Sequence, residues 1–255
     1  MRNLKAGSKI ALFVTILCPY TTMPAQQWPP NSLDRPRPAV VQPGPEQPSV
    51  PPPSDAVVLF DGKDLSQWMG PDSAPAKWLV KDGYMEVVAG AGAIRTKGTF
   101  GSVQLHIEWR APLPARGEGQ DRGNSGVFLM THYEIQVLDS YHSDTYADGQ
   151  AAAMYGQVPP LVNVCRPPGQ WQTYDIVFHR PRFAPDGSVS SPARVTILHN
   201  GVLVHDNDVF TGRTVHGRRA QYSPHADRLP LALQDHGHPV RFRNIWIREL
   251  SDSSE

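Results

Sequence analysis

The stretch Gly123–Ser140, GNSGVFLMTHYEIQVLDS, carries the alternation that decides the fold. Tyr133, Ile135 and Val137 fall on one face of an extended strand, and Glu134 and Gln136 fall on the other. One face can enter a core while the other offers a carboxylate and an amide. A carboxylate on a half-buried strand costs free energy unless it is paired or used. On one strand alone it is most simply a solvated group, so the neighbouring strands decide its meaning.

Working outward, the chain reads as short strands punctuated by turn signals. VQLHIEWR (103–110) alternates with Val103, Leu105, Ile107 and Trp109 inward and Gln104, His106, Glu108 and Arg110 outward. WLVKDGYMEVV (78–88) is a hairpin around Asp82-Gly83, and ARVTILHNGVLVHD (193–206) is a hairpin around Asn200-Gly201. WQTYDIVFH (171–179) is another strand. Toward the end, Leu229, Leu231 and Leu233 share one face and Ala232, Gln234 and His236 the other. In the last strand Val240 and Phe242 keep one phase while Ile245 and Ile247 keep the opposite one, which predicts a bulge at Asn244 or burial on both faces. No segment carries a helical period and no repeat recurs at a fixed interval. The expectation from these residues is an all-β, antiparallel two-sheet sandwich.

The two ends of the chain set the domain limits. Residues 1–25 combine a basic start, the apolar run IALFVTIL (10–17) and small residues near Ala25, the pattern of a secretory signal peptide. That run is too short to span a bilayer, so no transmembrane segment is expected in the mature chain. Leu17 stands where a lipoprotein needs a small residue, so anchoring through Cys18 is not expected, and the protein reads as periplasmic or secreted. Cleavage leaves Cys165 as the one cysteine, which excludes an intramolecular disulfide. Residues 26–54 read as an extended, mostly disordered linker; eleven prolines fall between 24 and 53. The folded domain is expected over 55–251. The 255 residues carry 24 Lys and Arg against 24 Asp and Glu, so nothing in the charge points to nucleic acid.

Three alternating strands place uncommon polar residues opposite their apolar faces: His106 and Glu108, Glu134 and Gln136, Gln234 and His236. Such groups are expected to share one concave surface, where carboxylates and amides bind hydroxyl groups and a His with a Glu moves protons. Thirty irregular residues after Asp139 suggest an ordered, site-forming loop, with Tyr155 a candidate to meet the ligand. His236-Gly237-His238 lacks a third ligand by motif, and Asp139, Asp144 and Asp148 do not match a calcium loop. No metal-ligating residue is therefore assigned, and a divalent cation stays open as a cofactor.

The blocks GNSGVFL, YEIQVLDS, YADGQAAAMYGQ, PPLVNVCRPPGQWQTYDI, HNGVLV and LQDHGHPVRFRNIWIREL, in that order, resemble the 3-keto-disaccharide hydrolase domain family from about Val57 to Leu250. The resemblance implies an all-β, two-sheet antiparallel jelly-roll sandwich of the concanavalin or laminarinase kind, in exported proteins that act on glycosides oxidised to a ketone at carbon 3. Thr131-His132 stands where relatives often carry Gly-Arg. Such a ketone acidifies the proton on carbon 2, so a base can remove it, the anomeric oxygen can leave, and water can add to the enone. Glu134 or His236 is the candidate base and Asp139 the candidate acid or orienting group. Arg122 and Arg243 are candidate donors to the enolate or to hydroxyls. Asn124, Gln136, His106, Glu108, Tyr155 and Gln234 are candidate substrate contacts.

Two other readings stay open. Glu134–Asp139 is similar in spacing to the E-I-D-I-x-E strand of laminarinase-type retaining glycosidases. Gln136 replaces the middle acid and Asp139 the last, which removes a charge and shortens the proton donor. A non-catalytic carbohydrate-binding module would need only the aromatic and hydrogen-bonding groups.

Overall fold

The computed structural model describes residues 28–251, so the signal-peptide reading and Cys18 lie outside the described residues. Two antiparallel sheets, one of eight strands and one of five, face each other across a single core. The larger sheet has Val103–Arg110 at its centre, between Gln172–His179 and Arg241–Glu249. The smaller runs through Trp68–Met69, Ile94–Thr96, Ala232–Leu233, Ser125–Leu129 and Tyr133–Val137. This is the antiparallel two-sheet sandwich that the alternation predicts and the jelly roll that the resemblance implies.

The core follows from that alternation. Leu105, Ile107 and Trp109 of the larger sheet and Val127, Leu129, Ile135 and Val137 of the smaller are all buried in one apolar cluster. Burying side chains of this size contributes roughly 1.5–3 kcal/mol each before entropy is counted. Tyr174 adds a specific tie, because its hydroxyl donates to the backbone carbonyl of Gln136 on the facing sheet at 2.8 Å. The turn chemistry is as expected: Asp82-Gly83 and Asn200-Gly201 all take positive φ. Asn244, at φ 46°, sits where the register of the last strand shifts, so the change of phase is a bulge.

The long connection after Asp139 is ordered. Ala147, Ala151, Ala152, Ala153 and Met154 are buried. Its backbone also extends the smaller sheet: Gln136 N–H donates to Ala153 O and Ala152 N–H to Gln136 O, both at 2.9 Å. Tyr155 N–H reaches Glu134 O at 3.2 Å. Strand Tyr133–Val137 is therefore no open edge.

The proline-rich segment departs from the sequence reading. After turns over 30–35, the segment to residue 53 runs along the domain as a strap instead of standing off as a disordered linker. Ala39–Val40 pairs in parallel with Val162–Asn163. Arg166 donates to the carbonyls of Gly44 and Pro45, and Asn244 donates to that of Val50. Proline content removes donors and core-forming side chains, but it leaves a stiff ribbon of free carbonyls that a neighbouring surface can bind.

Replacing Tyr174 with Phe is expected to lower stability by about 1 kcal/mol, the typical net value of one buried hydrogen bond. Thermal denaturation should show a fall of a few degrees. An unchanged midpoint would mean that this bond does not tie the sheets.

Candidate active site

Period-two geometry places Gly126, Phe128, Glu134, Gln136 and Gln234 on the outer face of the smaller sheet. Phe128 lies opposite Glu134 and Gly126 opposite Gln136 in the register. Gln234 is fixed just past its strand by N–H donation to Gly126 O at 3.0 Å. The 147–158 loop and the 212–217 loop wall this face, making an open cleft of about 250 Å³. Asn124, Tyr155, Thr214, His216 and His236 complete its lining.

Glu134 is the dominant group. It is only 5% exposed, and among the described residues no cation lies within ion-pair distance of its carboxylate. Burial pushes its carboxyl up to about 8. Its position is fixed at both ends. Thr214 Oγ1 accepts the backbone N–H of Glu134 at 3.0 Å, and the carboxylate lies over Gly126. A β-carbon at Gly126 would stand 2.6 Å from Glu134 Oε1, so glycine makes room for the acid.

Around this acid stand groups with unused hydrogen-bonding capacity. Gln136 Nε2 donates to Gln120 Oε1 at 3.0 Å, while Gln136 Oε1 and Gln234 Oε1 are buried without a partner among the described residues. Unpaired buried acceptors are costly, and hydroxyl donors of a ligand would satisfy them. On the opposite wall, the Tyr155 hydroxyl is 2.6 Å from that of Tyr146 and 2.9 Å from His216 Nδ1. Tyr155 and His216 are also stacked. Burial raises the phenols of Tyr146 and Tyr155, and the nearby Glu134 charge adds to the effect. His236 stands exposed at the rim, stacked on His238. Asp235 fixes that turn by accepting the N–H groups of Gly92 and Gly237, each at 2.9 Å.

The sequence-predicted residues thus divide into two sets. Glu134, His236, Asn124, Gln136, Gln234 and Tyr155 share the cleft. His106, Glu108 and Arg243 do not, which corrects the expectation of one shared surface. They belong to the outer face of the larger sheet, on the far side of the sandwich. Arg243 pairs with Glu108 at 2.6 Å and lies over Trp171, and Ser49 of the strap donates to Glu108 at 2.5 Å. Burial acts against both charges, yet Asp175 and Glu108 hold His106 up at about 9, while His106, Ser49, Asn244 and Arg243 hold Glu108 down at about 2. This is a satisfied structural network. Alternation reveals which side chains leave the core, but not which sheet they leave from.

Asp139 and Arg122 are also displaced from the cleft. Asp139 shares the phase of Tyr133, Ile135 and Val137, not that of Glu134. Its carboxylate accepts Arg122 Nε at 2.8 Å and the Tyr141 N–H at 3.2 Å. The two acids of the glycosidase-like spacing therefore do not face one space. Tyr133 and Trp171 are buried and supply no open stacking surface. Nothing in the sequence marks His216, Tyr146, Thr214 or Phe128 as site residues, His216 reading only as part of a polar loop over 207–228. The first three lie on segments with no strand period, and Phe128 reads as core. Among the described residues no cluster of three or more His, Cys, Asp or Glu side chains is placed to hold a metal ion.

Comparison with known proteins agrees with this architecture. The family model for the 3-keto-alpha-glucoside-1,2-lyase-like domain matches residues 55–248. The chain belongs to this family. A 3-keto-disaccharide hydrolase from Bacteroides thetaiotaomicron is 24% identical over 252 residues, covering 76% of this chain and 78% of that protein. A crystal structure from Parabacteroides distasonis, provisionally described as a glycosyl hydrolase, is 44% identical with a TM-score of 0.77. It covers 84% of this chain and 93% of its own. A second structure from that organism, 20% identical with a TM-score of 0.54, shares the fold. The family match begins at residue 55, so the strap lies outside it.

The raised carboxyl makes a stability prediction for this family member. Folding favours the protonated form of Glu134, so that contribution is full below the unfolded value of about 4.5 and is lost as pH rises through about 8. Glu134→Gln mimics the neutral form. Its melting temperature relative to wild type should rise by a few degrees between about pH 5 and about pH 9. A constant difference over that range would contradict the buried, uncompensated carboxylate.

Proposed function

We propose that the cleft cleaves 3-keto-glycosides by elimination and hydration, with Glu134 as the base that removes the proton from carbon 2. The observation that carries this reading is a buried carboxylate with no counter-cation among the described residues, set beside amide acceptors unpaired by them, in an open cleft. Membership of the 3-keto-alpha-glucoside-1,2-lyase-like family supports the substrate class. So does the relative named as a 3-keto-disaccharide hydrolase.

The steps balance without an added reactant other than water. Glu134 takes the carbon-2 proton, which the neighbouring ketone has acidified. The electron pair forms the double bond between carbons 1 and 2 as the bond to the anomeric oxygen breaks. Tyr155 donates a proton to the departing oxygen and draws on Tyr146 and His216 through its hydroxyl contacts. Water then adds at carbon 1 and a proton returns to carbon 2, giving the 3-keto sugar and a free alcohol. Gln136 and Gln234 would accept sugar hydroxyls, and Phe128 offers a ring face. His236, at the rim, is suited to proton exchange with solvent.

Conventional retaining hydrolysis is less well supported, because it needs two carboxyl groups across one glycosidic bond. Asp139 is held by Arg122 away from the cleft lining. For location, the N-terminal signal pattern supports export, and cleavage near Ala25 would leave the whole strap on the mature protein.

Purified protein should cleave a 3-keto-glycoside and leave the unoxidised parent intact, with product formation followed by chromatography. Equal rates on both would overturn the elimination. Glu134→Gln should lower kcat/KM by about 100-fold or more, in the range typical of lost general-base catalysis. Because the base must be ionised, kcat/KM of wild type should rise with pH and level off above about 8. A profile that falls over the same range would assign Glu134 the acid's role instead.

A further inference from the structure

The strap makes a set of contacts that lead to the catalytic hydroxyl. Asp148, within the family domain, is fully buried. The side-chain oxygens of Asp148 accept the backbone N–H of Asn31 at 3.2 and 3.3 Å. Arg35 stands 3.6 Å away as its ion-pair partner. Both neighbours come from the strap. Asp148 belongs to the short turn Ala147–Gly149, against which the Tyr146 ring is pressed. A β-carbon at Gly149 would lie 2.0 Å from that ring. Tyr146 in turn holds the Tyr155 hydroxyl at 2.6 Å.

A second set of contacts starts from the same residue. Asn31 Oδ1 accepts the backbone N–H of Gly217 at 3.1 Å, next to His216. His216 Nδ1 is 2.9 Å from the Tyr155 hydroxyl. Trp28 O accepts from Arg219 at 2.8 Å on the same loop, and Arg35 donates to Gln157 O at 3.1 Å, two residues past Tyr155. Asn31 has a φ of 59°, a left-handed conformation that asparagine tolerates better than most residues.

We infer that the N-terminal strap is a working part of the site, in which Asn31 and Arg35 are positioning residues that brace the two loops holding the Tyr155 hydroxyl. The strap lies outside the segment matched by the family model, so the brace reaches the family domain from a neighbouring segment of the chain. The inference rests on the reading of Tyr155 as proton donor to the leaving group. Braced on both sides, the hydroxyl is held at one place over the cleft, where small displacements are costly to rate.

Two variants of the full chain test it, by hydrogen–deuterium exchange and by kinetics. Asn31→Gly keeps the left-handed backbone and removes the acceptor for Gly217, and Arg35→Gln removes the charge beside Asp148. Exchange should accelerate in 212–219 for the first and in 147–157 for the second, with the core strands unchanged. Kinetically, kcat on a 3-keto-disaccharide, whose sugar alcohol leaves poorly, should fall about 10- to 100-fold. On a nitrophenyl 3-keto-glucoside, whose phenolate leaves without an acid, it should change about threefold or less.

Unchanged exchange in both loops would overturn the brace. So would equal losses on the two substrates, which is the result of general damage to the fold. If wild type turns over neither substrate, the proposed function fails, and the exchange comparison alone upholds or overturns the brace.

Discussion

Glu134 sits on a strand whose every residue is buried, with glycine rather than a cation against its carboxylate. Water is largely excluded there, so ionisation costs more than in solution and the proton is held to about 8. That cost is tolerated because the surroundings fix the strand from all sides. Its inward face is locked in the core with Tyr133, Ile135 and Val137. Its backbone is paired with Ser125–Leu129 on one edge and with the 152–155 backbone on the other. The remaining features of the cleft follow from having to flank such a group without neutralising it.

The two outer faces of the sandwich show two fates for the same residue types. Glu108 and His106 are buried like Glu134, but they meet Arg243, Asn244, Asp175 and Ser49, and every charge has a partner. Such a network is spent on holding structure, here including the strap. Glu134, Gln136 and Gln234 keep unused capacity. Among the described residues the buried carboxylate of the larger sheet's outer face is paired, whereas that of the cleft stands beside two unpartnered amide oxygens, and this contrast marks the candidate chemical side.

Much of the fold was legible in particular residues. The alternations of 103–110 and 133–137 gave the inward faces, Asp82-Gly83 and Asn200-Gly201 gave the hairpins, and the change of phase at Asn244 gave the bulge. The site was half legible. Period two puts Glu134, Gln136 and Gln234 outside the core, but nothing local tells that His106 lies on the opposite sheet or that Asp139 turns to Arg122. His216 and Tyr146 stand in irregular loops, whose placement is a property of the whole fold. The docking of the strap is illegible for a related reason. Its composition excludes a core of its own, but it does not disclose the Arg166, Arg219 and Asn244 side chains that capture its carbonyls.

The central claim is that Glu134 removes the proton from carbon 2 before the glycosidic bond breaks. Its most direct test is a reaction in deuterated water, run with a control for spontaneous exchange and read by NMR at carbon 2 of the product. The account predicts deuterium at that carbon for the wild-type protein, and about 100-fold or more slower cleavage and enzyme-dependent exchange for Glu134→Gln. Cleavage that leaves the original hydrogen on carbon 2 would contradict it.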